Sequence, residues 1–151
     1  WLVPTIELRK QIVREIRKSK PQRMLVQSPE RNWDRLFASH PDHMAAGEAA
    51  IQAVYPDARN PFAFEDLLKE EGLEPWRVRE LWVMSHHTPD HFVDVTDTFD
   101  KKIAALHAHV SQTAHNPNLE NMLREWGGRN AKLHGLADGR LAEIFKIVSS
   151  D

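Results

Sequence analysis

Within its first 27 residues the chain ends one helix and begins one strand, and that step narrows the folds open to it. Thr5 can cap a helix running to about Lys18, with Ile6, Val13 and Ile16 on one face and Arg9, Lys10, Arg14, Arg17 and Lys18 outside. Lys20-Pro21 ends it, because a residue before proline is pushed out of helical conformation. Arg23 to Gln27 then reads as a short buried strand, stopped by Ser28-Pro29. Helix, loop and strand in that order make the step of an α/β fold. The polar stretch Ser28 to Pro41 falls beyond the strand's carboxyl end, where open α/β sheets place their ligands.

The pattern continues. An Ala-rich helix is predicted over about His43 to Val54, closed by Tyr55-Pro56, with Gly47 costing it about 1 kcal/mol. A short helix follows around Glu65 to Glu71, with Gly72 as its stop. Val78 to Met84 alternates as a second strand, and Phe92 to Val95 is a third. Asp97 to Val110 spaces Ile103, Leu106 and Val110 on one helical face, and another helix spans about Leu119 to Leu133. Arg140 to Val148 is either a last edge strand or a helix, since its periodicity does not choose. Trp76, Trp82 and Trp126 are read as core residues before interface anchors.

Composition removes several classes of function. Lys plus Arg is 20 and Asp plus Glu is 22, a net charge of −2, which argues against nucleic acid bound mainly by charge or a cationic membrane-surface protein. The longest apolar runs, Leu81 to Met84 and Ile103 to Leu106, are too short for a transmembrane helix. With no cysteine there is no disulfide, thiolate zinc site or cysteine nucleophile. A soluble, cytoplasmic protein is the expectation. The chain opens on Trp1 with no Met, which suggests that something upstream is missing. Gly-x-Ser-x-Gly, Gly-x-Gly-x-x-Gly and phosphate-cradle patterns are all absent.

Histidine is the feature out of proportion: nine in 151 residues. Ser39-His40-Pro41-Asp42-His43 packs two imidazoles and a carboxylate at a loop-to-helix junction, ligand types that zinc accepts when no thiolate is present. The alternative is a solvated helix start with Asp42 as cap, and the residues alone leave both open. His86-His87-Thr88-Pro89-Asp90-His91 follows the second strand. It could complete a metal site with His43, but a polar turn is the simpler reading. His107 and His109 lie on the 97–110 helix, where packing roles are commoner than catalytic ones.

In series, these stretches resemble a known family. His40-Pro41-Asp42-His43 is similar to the second histidine motif of the PIG-L/LmbE-like zinc-dependent N-acetylglucosaminyl deacetylases. Phe92-Val93-Asp94-Val95-Thr96-Asp97-Thr98, then Lys101 to Leu106, then His109-Val110-Ser111-Gln112 resemble that family's C-terminal signature. The resemblance covers nearly the whole chain. It implies a Rossmann-like open sheet with flanking helices and a catalytic Zn2+ that activates water to hydrolyse an acetamide. By the same resemblance His43 is a zinc ligand, His40 protonates the leaving amine or steadies the oxyanion, and Asp42 orients and charge-tunes His40. His109, Ser111 and Gln112 match a recurrent motif with a structural or supporting role.

The family's N-terminal Ala-His-Pro-Asp-Asp-Glu-like motif, which supplies the other two zinc ligands and the general base, does not occur here. The resemblance therefore implies that residues 1–151 are the C-terminal portion of one such domain, dependent on an N-terminal segment of the same protein for the rest of its site. An acetylated amino-sugar substrate and a homo-oligomer are further implications. A thiol-conjugate amidase on the same fold, a non-catalytic binding or oligomerising relative, and a self-contained metal site built from His40, Asp42, His43 and the His86/His87/His91 cluster stay as alternatives.

Overall fold

The computed structural model describes residues 1–151. Its sheet has four strands in the order β1-β2-β4-β3: β1 Arg23–Gln27, β2 Glu80–Met84, β3 His91–Asp94 and β4 Ala142–Ser149. Helices α1 (Ile6–Ser19), α2 (Pro41–Val54), α3 (Glu65–Lys69), α4 (Phe99–His107), α5 (Val110–Thr113) and α6 (Leu119–Leu133) complete the α/β fold. The chain divides into two compact units, residues 1–89 with 145–151, and residues 90–144.

In the first unit β1 and β2 are parallel, in register from Arg23 opposite Glu80 to Gln27 opposite Met84. Parallel neighbours need a crossover, and α2 lies within it. β2 pairs antiparallel with the end of β4, Met84 opposite Phe145 and Glu80 opposite Ser149. Val13, Ile16, Val26, Ala53, Val54, Ala58, Leu67, Val78, Leu81 and Val83 form the core. The Trp82 ring packs 5.2 Å from that of Phe145, and the Arg23 guanidinium lies 3.9 Å from the Trp82 ring centre. The Trp76 indole N–H donates to the Pro21 carbonyl at 2.8 Å. Both indoles are half-buried.

α1 differs from its amphipathic reading at both ends of its apolar face. Ile6 is exposed, whereas Arg17, expected outside, is only 1% exposed. Its guanidinium donates to the carbonyls of Asp57 and Ala58 at 3.2 Å, Asn60 at 2.9 Å and Ala63 at 3.1 Å. A flexible charged side chain thus closes the carbonyl-lined turn that follows α2. Burial holds its pKa below the usual guanidinium value.

The second unit has its own small core of Phe99, Ile103 and Leu141, joined by Val95 and Leu123. The 97–110 helix is two elements: α4 stops at His107, and His109, with ψ 61, leaves helical geometry before α5 starts. The Thr113 hydroxyl adds a bond to the carbonyls of Leu106 and His109, which also accept backbone amides at the break. Residues 142–149, read as either an edge strand or a helix, are a strand, and an internal one between β2 and β3. Trp126 is 41% exposed and lies outside this core.

Candidate active site at the start of α2

The loop leaving β1 is held by its own polar groups. Ser28 Oγ accepts the Glu30 amide at 3.2 Å, Asn32 Oδ1 accepts the amides of Asp34 and Arg35, and buried Ser39 Oγ accepts the Asn32 amide at 2.8 Å. These bonds turn apolar side chains outward: Trp33 is 82% and Phe37 79% exposed. Glu30, Arg31, Asn32, Trp33, Asp34 and His87 line an open depression of about 400 Å³.

The loop ends by delivering His40 as the N-cap of α2, with Pro41 at the first helical position, where a missing N–H costs nothing. His40 Nδ1 accepts the Asp42 backbone N–H at 3.2 Å. In a neutral imidazole the proton then sits on Nε2, which is exposed and free to donate. The His43 ring lies 5.3 Å from the His40 ring, tilted by 43°, and forms no hydrogen bond. The Asp42 carboxylate accepts the Leu2 amide at 3.0 Å, and that bond holds its pKa below the usual carboxylate value. The capping residue is therefore His40, where the alternative reading gave that role to Asp42, and what touches His40 is the backbone amide of Asp42 and not its carboxylate.

Helix α2 can begin this close to β1 because of Gly47. A Cβ there would stand 2.3 Å from the Gln27 carbonyl oxygen and 3.0 Å from Pro29 N. The glycine is a close-approach residue, and the strand end and the histidine pair are brought together through it.

The second histidine cluster is only partly assembled. Ser85, in left-handed conformation at φ 57, turns the chain out of β2. His86 and His87 stack with ring centres 4.5 Å apart. Glu30 Oε2 lies 3.3 Å from both His86 Nε2 and His87 Nδ1. Glu30, His86 and His87 bring ligand atoms within 4.8 Å of one another, a group that contains none of His40, Asp42 and His43. Glu30 carries no signal in its local sequence. The signal lies in the sheet: register places Gln27 opposite Met84, so the residues just beyond each end meet. His91 belongs to β3 and His109, Ser111 and Gln112 to α5 and its start, all within the second unit.

Over 108 residues the chain is 36% identical to a diacetylchitobiose deacetylase of Thermococcus kodakarensis, a match covering 72% of this chain and 38% of that protein. Its fold matches an N,N'-diacetylchitobiose deacetylase from Pyrococcus horikoshii with a TM-score of 0.80 and 27% identity, over 96% of this chain and 52% of the other. The conserved protein TT1542 from Thermus thermophilus matches with a TM-score of 0.72 and 23% identity, over 96% of this chain and 59% of that one, a likeness of fold. The chain thus spans between about two fifths and three fifths of the length of these relatives. No family profile matches it.

Proposed function

Because this chain belongs to the PIG-L/LmbE-like family of deacetylases, we propose that residues 1–151 form the C-terminal portion of one such domain, and that the protein removes the acetyl group from an N-acetyl amino sugar or a related conjugate. One observation carries the reading: His40 and His43 stand together at the start of α2, in a chain 36% identical to a diacetylchitobiose deacetylase over 108 residues.

His43 has the chemistry for Zn2+, an imidazole with no hydrogen bond competing for its ring nitrogens. One imidazole does not close a zinc site, so the remaining ligands and the general base are assigned to a segment of the same protein outside these residues. Zinc in such a site supplies Lewis acidity toward water and the amide carbonyl.

His40 steadies the oxyanion. Its Nε2–H is fixed as a donor by the bond that Nδ1 accepts from the Asp42 amide. Acting as a proton donor would require a second hydrogen on Nδ1, pointing into that same amide. The geometry therefore favours hydrogen-bond donation over proton transfer, and the leaving amine takes its proton from another group. Asp42, kept ionised by the Leu2 amide, places negative charge beside both imidazoles. No helix is long and apolar enough to cross a membrane. A cytoplasmic location fits a chain without cysteine, and a homo-oligomer would cover exposed Trp33, Leu36 and Phe37.

The test is acetate release from diacetylchitobiose by the intact protein, compared with His43→Ala at equal zinc loading. Loss of activity supports the reading; full activity in His43→Ala removes it.

A further inference from the structure

We propose that Glu30, His86 and His87 form a site for a divalent transition metal, of the zinc class, that does not use His43. The three ligand atoms lie within 4.8 Å of one another, and Glu30 Oε2 is 3.3 Å from each imidazole nitrogen. Ligands about 2.0–2.2 Å from a tetrahedral zinc ion are separated by roughly 3.3–3.6 Å. Two of the spacings therefore match a shared metal, and the stacked His86 and His87 rings must rotate for both in-plane lone pairs to meet at it. Two imidazoles and one carboxylate select zinc-like ions, since calcium and magnesium favour oxygen throughout.

Thr88 supplies the supporting contact. Its hydroxyl lies 3.2 Å from His86 Nδ1 and its amide 3.1 Å from the same nitrogen. When the amide donates, the His86 proton sits on Nε2 and points at Glu30. For Nε2 to turn its lone pair into the cluster, as a metal ligand must, Nδ1 takes the proton and donates it to the Thr88 hydroxyl, and the Thr88 amide has to turn away from that nitrogen. The proton only changes nitrogens, so the ring stays neutral. The open depression beside Glu30 and His87 leaves room for water as a fourth ligand.

The bound ion would clip the loop after β1 to the turn after β2. Glu30 comes from the loop that ends at His40, and the two histidines follow Ser85. The metal thus ties down the segment that carries Trp33 and presents His40.

Equilibrium dialysis of the intact protein carrying His43→Ala, alone and combined with each further variant, against zinc chloride, with bound metal counted by mass spectrometry, tests this. His43→Ala is expected to retain one zinc per chain. Glu30→Gln and the double variant His86→Gln/His87→Gln are expected to lose more than about tenfold in affinity, and Thr88→Val about 10- to 100-fold. Circular dichroism checks that each variant is folded. The proposal is overturned if His43→Ala binds no zinc, or if folded Glu30→Gln and His86→Gln/His87→Gln in that background bind it as His43→Ala alone does. Binding of magnesium or calcium at the same affinity as zinc would overturn the assigned metal class.

Discussion

His40 Nδ1 accepts the backbone N–H of Asp42 at 3.2 Å, so the first amide of α2 and the exposed Nε2 of the imidazole are set by one bond. Asparagine in that place keeps a capping acceptor and an N–H donor but cannot transfer a proton. In the intact protein, His40→Ala is expected to lower kcat for deacetylation by about 10²- to 10³-fold. His40→Asn is expected to recover about tenfold or more of that loss. Equal loss in both variants would assign proton transfer to His40 instead.

Two glycines in helices make opposite predictions. In a helix, alanine is preferred to glycine by about 1 kcal/mol, so Gly→Ala stabilises where space allows. Gly128 has nothing within 4 Å of its missing Cβ, and Gly128→Ala should raise stability by about that amount. Gly47 faces the Gln27 carbonyl oxygen at 2.3 Å, backbone that cannot swing aside. Overpacking there outweighs propensity, and Gly47→Ala should cost about 2 kcal/mol. Urea unfolding of both variants measures the signs.

What the sequence made legible was what short-range chemistry decides. The helix–strand step, the span of α6 and the His40–Asp42–His43 group all follow from residues close in the chain. Long-range pairing decides the remainder. Glu30 meets His86 and His87 only because β1 and β2 align in parallel register. Arg17 falls on the charged side of a helical wheel, and only the carbonyls of the 57–63 turn give its guanidinium a reason to be buried. β4 is internal because the strand between residues 91 and 94 adds beyond it, which periodicity within 140–148 cannot reveal.

Arg17 is a stability prediction of its own. Methionine would fill similar volume but leave four carbonyl oxygens without that donor. The carbonyls of Asp57, Ala58 and Asn60 also accept backbone amides, so Ala63 is the one left unsatisfied. That costs about 1–3 kcal/mol, and each other lost bond about 1 kcal/mol, partly offset because no guanidinium is desolvated. A net loss of about 3 kcal/mol is expected for Arg17→Met, a fall in Tm of roughly 6–12 °C. A change of less than about 2 °C in a thermal melt would mean that these hydrogen bonds contribute little.

Asp94 links the second unit's stability to pH. Its carboxylate accepts the Thr96 hydroxyl at 2.6 Å and the Thr96 amide at 3.0 Å, and takes Arg140 Nε at 2.7 Å. The Thr96 bonds lead, with Arg140 adding to them, in holding its pKa below the usual 3.8. A carboxylate depressed on folding binds its proton more readily when unfolded. Its contribution is therefore complete above the unfolded value and is lost as pH falls through the folded one. Asp94→Asn removes that dependence along with the Arg140 pairing. Urea midpoints taken at neutral pH and again below about pH 3 should fall for the parent chain. They should fall less for Asp94→Asn, and identical acid losses in the two proteins would show that Asp94 does not couple folding to the proton.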